Sequence, residues 1–266
     1  MGHERVGALP KTEPWQKVVK NIADFDGNEE QSRRIANQTL ENVQTRFESI
    51  QRDPNVRAAF KFLTELAVSG AGGRATSLKL PENPTAFTIA KALDTVVRAQ
   101  DGSSEYAALA KAAATDAIAN WYAQNMTQPS LFGTPEQNSE IWRKAGTAGG
   151  FCEIARLFFA KFTERYLNYF LEREASAVSR TIEQRELLQR QIRDQIDAVS
   201  KHAFETARIT QSFAAGWYNR HAKDAVPTDE EIAGFLTIAF GKLREDLGMT
   251  PWATAYTISC ATAQIL

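Results

Sequence analysis

Apolar residues recur along this chain at spacings of three and four. Ile35, Leu40, Val43, Phe47 and Ile50 share one face of a helix running from about residue 28 to residue 52. Pro54 opens a second helix with Val56, Phe60, Leu63 and Ala67 inward, and the glycine cluster at 70–73 ends it. Residues 74–85 read as a loop with a short extended piece at 78–80. Helices follow over about 86–99 and 104–124, the second capped by Ser103 or Ser104. Alternation with a period of two never lasts more than a few residues.

The longest signal is an absence of punctuation. Residues 151–215 form a run of 65 positions without glycine or proline, and such a run argues for helix rather than sheet. One straight helix of that length would reach about 98 Å at 1.5 Å per residue. A break near residues 174–179 therefore makes the region 151–223 either an antiparallel helical hairpin or one bent helix. Further on, Pro227 precedes Thr228 and Glu231 at capping-box spacing, with three acids at the positive end of the next helix dipole. Gly248 stops that helix, and Pro251 starts a last one. The pattern predicts an all-α fold, a bundle of about eight helices. Residues 1–125 are expected as one helical subdomain, 126–138 as a linker and 139–266 as a second, unless the whole forms one continuous domain.

Composition narrows the function classes. The chain holds 40 alanines, 15 glycines and 9 prolines among 266 residues, and its net charge of −1 with 43% hydrophobic residues is that of a folded protein. Residues 1–135 carry 15 basic and 15 acidic side chains, 136–226 carry 14 and 12, and 227–266 carry 2 and 5. No segment demands a polyanionic partner on charge alone. Two cysteines, Cys152 and Cys260, exclude a disulfide scaffold, and no Cys/His cluster offers a zinc site. The histidines His3, His202 and His221 stand outside any Glu-x-x-His or His-x-x-x-His spacing. The expectation is no metal and no cofactor. Without an apolar N-terminal stretch of signal length, the cytoplasm is the expected location.

Five segments could carry function. The turn Gly146-Thr147-Ala148-Gly149-Gly150 leads into a helix whose first turn holds Cys152. Exposed amides and the helix dipole there favour a thiolate, with His202 or His221 as a base for a cysteine-dependent hydrolase. A small core cysteine competes with that reading and is preferred, because no second catalytic element accompanies it. Residues 151–171 are apolar enough to suggest a membrane span, but Glu153, Arg156, Lys161, Glu164 and Arg165 exclude one. Its aromatic residues wrap most of the helix, which suits a central core position. Over residues 181–203 the stripe Ile182, Leu188, Ile192, Ile196 and Val199 is narrow, as in a two-helix seam or an arm that binds a partner.

A fourth segment interleaves aromatic and basic groups: Trp217, Tyr218, Arg220 and Lys223, with Arg208 upstream. Such groups can stack on bases and meet phosphates, but an ordinary helix end is the preferred reading, because no long-range positive field supports the alternative. The fifth is the stretch 249–266, which holds no charged side chain and reads as a helix docked on the body or on a partner. The leading expectation is a non-enzymatic interaction protein, a subunit of a larger assembly that binds a protein partner or a second copy of itself. A helical nucleic-acid-binding subunit comes second, and the hydrolase centred on Cys152 third.

Overall fold

A computed structural model of the chain describes residues 12–70, 77–81, 84–126, 135–178, 181–205 and 213–249, and within them all regular structure is helical. Ten helices are present where the periodicity predicts about eight. The first half holds α1 (Glu13–Ala23), α2 (Glu29–Ile50), α3 (Pro54–Gly70), α4 (Ala86–Arg98) and α5 (Ser104–Asn125). The second holds α6 (Pro135–Ala145), α7 (Ala148–Val178), α8 (Ile182–Glu205), α9 (Phe213–His221) and α10 (Asp229–Met249). The helix expected from Pro251 onward lies outside the described residues.

Three of the ten, α1, α6 and α9, correct the sequence reading, α9 being a separate helix within the region 151–223, where one hairpin or one bent helix is expected. In α1 the buried residues Trp15, Val18 and Ile22 follow the three-and-four spacing of an amphipathic helix, with Pro14 in the first turn where no amide bond is lost. The start of α6 falls inside the stretch expected as a linker. Its Asn138 is buried and accepts from the Tyr122 hydroxyl of α5. Side chains from both sides of that stretch, such as Ala117 and Trp121 before it and Ile141 and Phe158 after it, belong to one core.

The caps explain where several helices begin. Asp53 Oδ1 accepts from the amides of Asn55 at 2.9 Å and Val56 at 3.3 Å, and its Oδ2 accepts from Ser103 N at 2.9 Å. One carboxylate thus caps α3 and anchors the start of α5, where Ser103 Oγ accepts from Tyr106 N. At α10 the predicted capping box is present: Glu231 N donates to Thr228 Oγ1 at 3.2 Å and Thr228 N to Glu231 Oε2 at 2.8 Å.

The centre of the molecule is α7. It packs against α1, α2, α3, α5, α6, α8 and α9, and its rings also meet Phe235 and Phe240 of α10. Phe151, Phe158, Phe159, Phe162 and Tyr166 are all fully enclosed, and Phe60 of α3 lies among three of these rings at 5.4–6.1 Å, with Phe235 of α10 stacked on it at 4.8 Å. The charges that exclude a membrane span are paired. Both Glu153 oxygens hold the buried Arg156, Lys161 bonds Glu164, and Arg165 reaches Asp116 of α5 at 2.6 Å. Among the described residues no helix is long and apolar enough to cross a membrane.

Glu164 Oε1 also accepts from Arg193 of α8 at 2.8 Å. Glu164 stands 14 residues before the end of α7 and Arg193 11 residues after the start of α8, so the two helices run antiparallel. The free side of α8 reaches the α1–α2 connection, where Gln191 Nε2 donates to Gly27 O at 2.9 Å. Gly27 takes φ +104°, a left-handed backbone that side-chain-bearing residues rarely adopt, and a β-carbon there would also lie 3.3 Å from Leu187.

Candidate functional site

The glycine-rich turn before α7 is a packing device. Thr147 caps the helix, its Oγ1 accepting from Gly150 N at 3.0 Å and its carbonyl from Phe151 N at 2.8 Å. A β-carbon on Gly150 would lie 2.1 Å from the Lys144 carbonyl oxygen, so only glycine lets the end of α6 approach the start of α7. Of the amides that a sequence reading offers to an anion, those of Gly146, Thr147, Gly150 and Phe151 thus have acceptors within the protein. Cys152 is half-buried one residue along and packs against the common core. The imidazole of His221 is engaged elsewhere, with Nδ1 2.7 Å from Glu231 Oε1 and its ring 5.4 Å from that of Trp217. The side chain of His202 lies outside the described residues.

The aromatic and basic groups of α9 divide between core and solvent. Tyr218 is 2% exposed, stacks on Phe151 at 5.0 Å and donates its hydroxyl to the Gly146 carbonyl at 2.9 Å. Trp217 is half-buried against Phe235 at 4.8 Å and Phe151 at 5.7 Å. Arg220 and Lys223 stand exposed after them, close to the C-terminal end of the helix dipole. The structure does not gather these four into one stacking surface. Arg208 lies outside the described residues.

The stripe on α8 divides as well. Leu188 and Ile192 are buried in the common core, whereas Ile182 at the start of the helix is 61% exposed. The side chains of Ile196 and Val199 lie outside the described residues. Within the described part, the seam faces the protein's own α2, α7 and α10.

Two features escaped the sequence reading. The first is the outer face of α10. Ile232, Phe235, Leu236, Ala239, Phe240 and Leu243 of that helix are buried, and the opposite side presents Glu230, Gly234, Thr237, Ile238 and Lys242. Ile238 is 47% exposed, and β-carbons built on Gly234 and Gly241 meet no atom within 4 Å. Nothing in a helical repeat says which face is covered when both carry apolar or small residues. The second is a cavity of about 240 Å³ bordered by α3, α4, residues 77–78 and the start of α10. Arg57, Lys61 and Glu65 fall one helical turn apart on α3, a spacing visible in the sequence, and all three line it. Lys61 Nζ lies 2.7 Å from Asp229 Oδ1, and that bond, with a smaller contribution from the Arg57 charge, holds the Asp229 carboxyl below its ordinary range.

Comparison with protein-family models, curated proteins and solved structures finds no match to this chain. Among the described residues no group of His, Cys, Asp and Glu could hold a metal ion.

Proposed function

We propose that this chain is a non-enzymatic interaction protein, a subunit that self-associates through the outer face of α10. The observation that carries the reading is Ile238 standing exposed between two glycines whose outer sides are open. Glycines let a second helix approach closely, and an exposed branched residue beside them is the complementary knob. The occupant best suited to this face is a second copy of the same helix. One antiparallel register, centred on residue 236, sets Ile238 of each copy opposite Gly234 of the other. The same register sets the exposed Lys242 opposite the exposed Glu230. Steric and charge complementarity therefore share a single two-fold arrangement, as an isologous interface requires. The stripe on α8, with Leu188 and Ile192 already covered, supports partner binding less well.

One helix face buries less than the about 800 Å² per partner of a standard interface, so the reading implies a weak dimer that grows with concentration. Sedimentation velocity over a concentration series tests it. The weight-average mass should rise toward twice 29.6 kDa in the wild type and stay at the monomer value in Ile238→Asp. A protein that remains monomeric at the highest concentration overturns self-association, as does a dimer that Ile238→Asp leaves intact.

A further inference from the structure

Helix α8 is held on the bundle by little apolar surface. Of the thirteen side chains described over 182–194, only Leu188 and Ile192 are buried and six are exposed, so few apolar contacts oppose its detachment. In α7, by contrast, residues 154–160 are buried without a break. Polar ties make up the rest of the described fastening. Arg193 Nε donates to Glu164 Oε1 at 2.8 Å, Gln191 Nε2 to Gly27 O at 2.9 Å and Gln184 Nε2 to Phe25 O at 3.5 Å. Water can replace each of these at small net cost, the more so because the Arg193 side chain is 51% exposed. Docking also carries a penalty. Gln191 Oε1 is enclosed and meets no donor among the described residues, whereas detachment returns it to water.

We propose that α8 is a strap that opens as a unit while the other helices stay folded. Leu188 and Ile192 come free together, and the sides of α2, α7 and α10 beneath them are uncovered. What remains holds without α8. Phe60 of α3, Phe158 and Phe159 of α7 and Phe235 of α10 pack on one another directly. Glu164 loses Arg193 but keeps Lys161 at 2.8 Å, so opening leaves no buried carboxylate unpaired. A unit with few buried apolar contacts and exposed polar ties is the kind that opens below the free energy of global unfolding.

Hydrogen exchange of the full chain at high dilution tests the proposal. Amides of residues 186–194 should exchange about tenfold faster or more, relative to their unstructured rates, than those of residues 154–162. Two mild variants separate a strap from global unfolding. Ile89 is buried in α4, which packs against α3 and α5, and it stays buried when the strap opens. Ile89→Val should therefore speed exchange in α7 by about two- to tenfold and leave α8 unchanged. Ile192→Val should speed exchange in α8 by a similar factor. Equal protection of α7 and α8 overturns the proposal. So does Ile89→Val speeding both helices together, or Ile192→Val leaving α8 unchanged. None of these readouts requires self-association through α10.

Discussion

Helices α7 and α10 are both apolar over much of their circumference, yet the molecule treats them differently. Among the described residues eight other helices touch α7, and its aromatic side chains interlock with Phe60 of α3 and with Phe235 and Phe240 of α10. Its charges lie at intervals where a partner waits, Asp116 for Arg165 and Arg193 for Glu164. In α10 the aromatic residues Phe235 and Phe240 face inward, whereas Gly234 faces outward and Gly241 has open space beside it. Bulky rings mark the side that the fold itself covers, because dense packing needs volume to fill. Glycine on the other side removes volume and leaves a groove. The same overall hydrophobicity therefore marks a closed core in one helix and an approachable face in the other.

The difference is broken most strongly in α7. Phe158→Ala removes a fully enclosed ring that contacts Phe60, Phe159 and Phe162. Denaturant unfolding followed by circular dichroism should show a loss of about 3–5 kcal/mol, the range for truncating a buried phenylalanine. Gly150→Ala should come next. Its new methyl meets the Lys144 carbonyl, a backbone atom that cannot rotate away, so a cost of about 1–3 kcal/mol is expected in the same measurement. The corresponding change on α10, Gly234→Ala, meets open space and should be neutral to slightly stabilising in a mid-helix position, by up to about 1 kcal/mol. Finding Gly150→Ala and Gly234→Ala equally harmful would remove the contrast.

A smaller effect lies at the start of α10. Thr228→Ala loses the hydroxyl that accepts from Glu231 N and should cost about 1 kcal/mol. The Glu231 carboxyl is held below its ordinary value of 4.5, first by the Thr228 amide and then by His221. A carboxyl lowered in the folded state stabilises the protein fully above that ordinary value, and the contribution fades as pH falls through the lowered folded value. Glu231→Gln should therefore destabilise at neutral pH and narrow its gap to the wild type in acid. A gap that is constant from pH 7 to pH 3 would show that the carboxylate charge is not what the cap uses.

Much of this was readable from residue order. The run without glycine or proline at 151–215, Pro54 and the Thr228–Glu231 pair each state a local rule, and local rules survive folding. The short helices were harder. Trp15, Val18 and Ile22 show the right spacing for α1, but an 11-residue helix offers few repeats to weigh against a loop. What the chain order could not supply is which surfaces meet. Leu188 and Ile192 look the same whether a seam is closed by α2 and α7 or by another molecule. The cavity depends on Ser77, Val96 and Asp229 arriving beside α3 from distant positions. Periodicity assigns a residue to a face, and only tertiary packing decides what covers that face.

The outer face of α10 supplies the smallest effect on stability and the sharpest test of the comparison. Ile238→Asp replaces a half-exposed side chain, so the unfolding free energy should stay within about 0.5 kcal/mol of the wild type. Self-association should nevertheless disappear. Charge reversal then tests the register. Glu230→Lys alone places two lysines opposite each other in the two-fold pair, and Lys242→Glu alone places two glutamates there. Each single variant should weaken the dimer in sedimentation, and the double variant, which restores opposite charges in the same geometry, should recover it. Raised salt should shrink all of these differences, because exposed pairs are screened. If the double variant is weaker than either single one, the two helices do not meet antiparallel about residue 236, and the outer face of α10 then lacks the complementarity that distinguishes it from an ordinary solvent-facing surface.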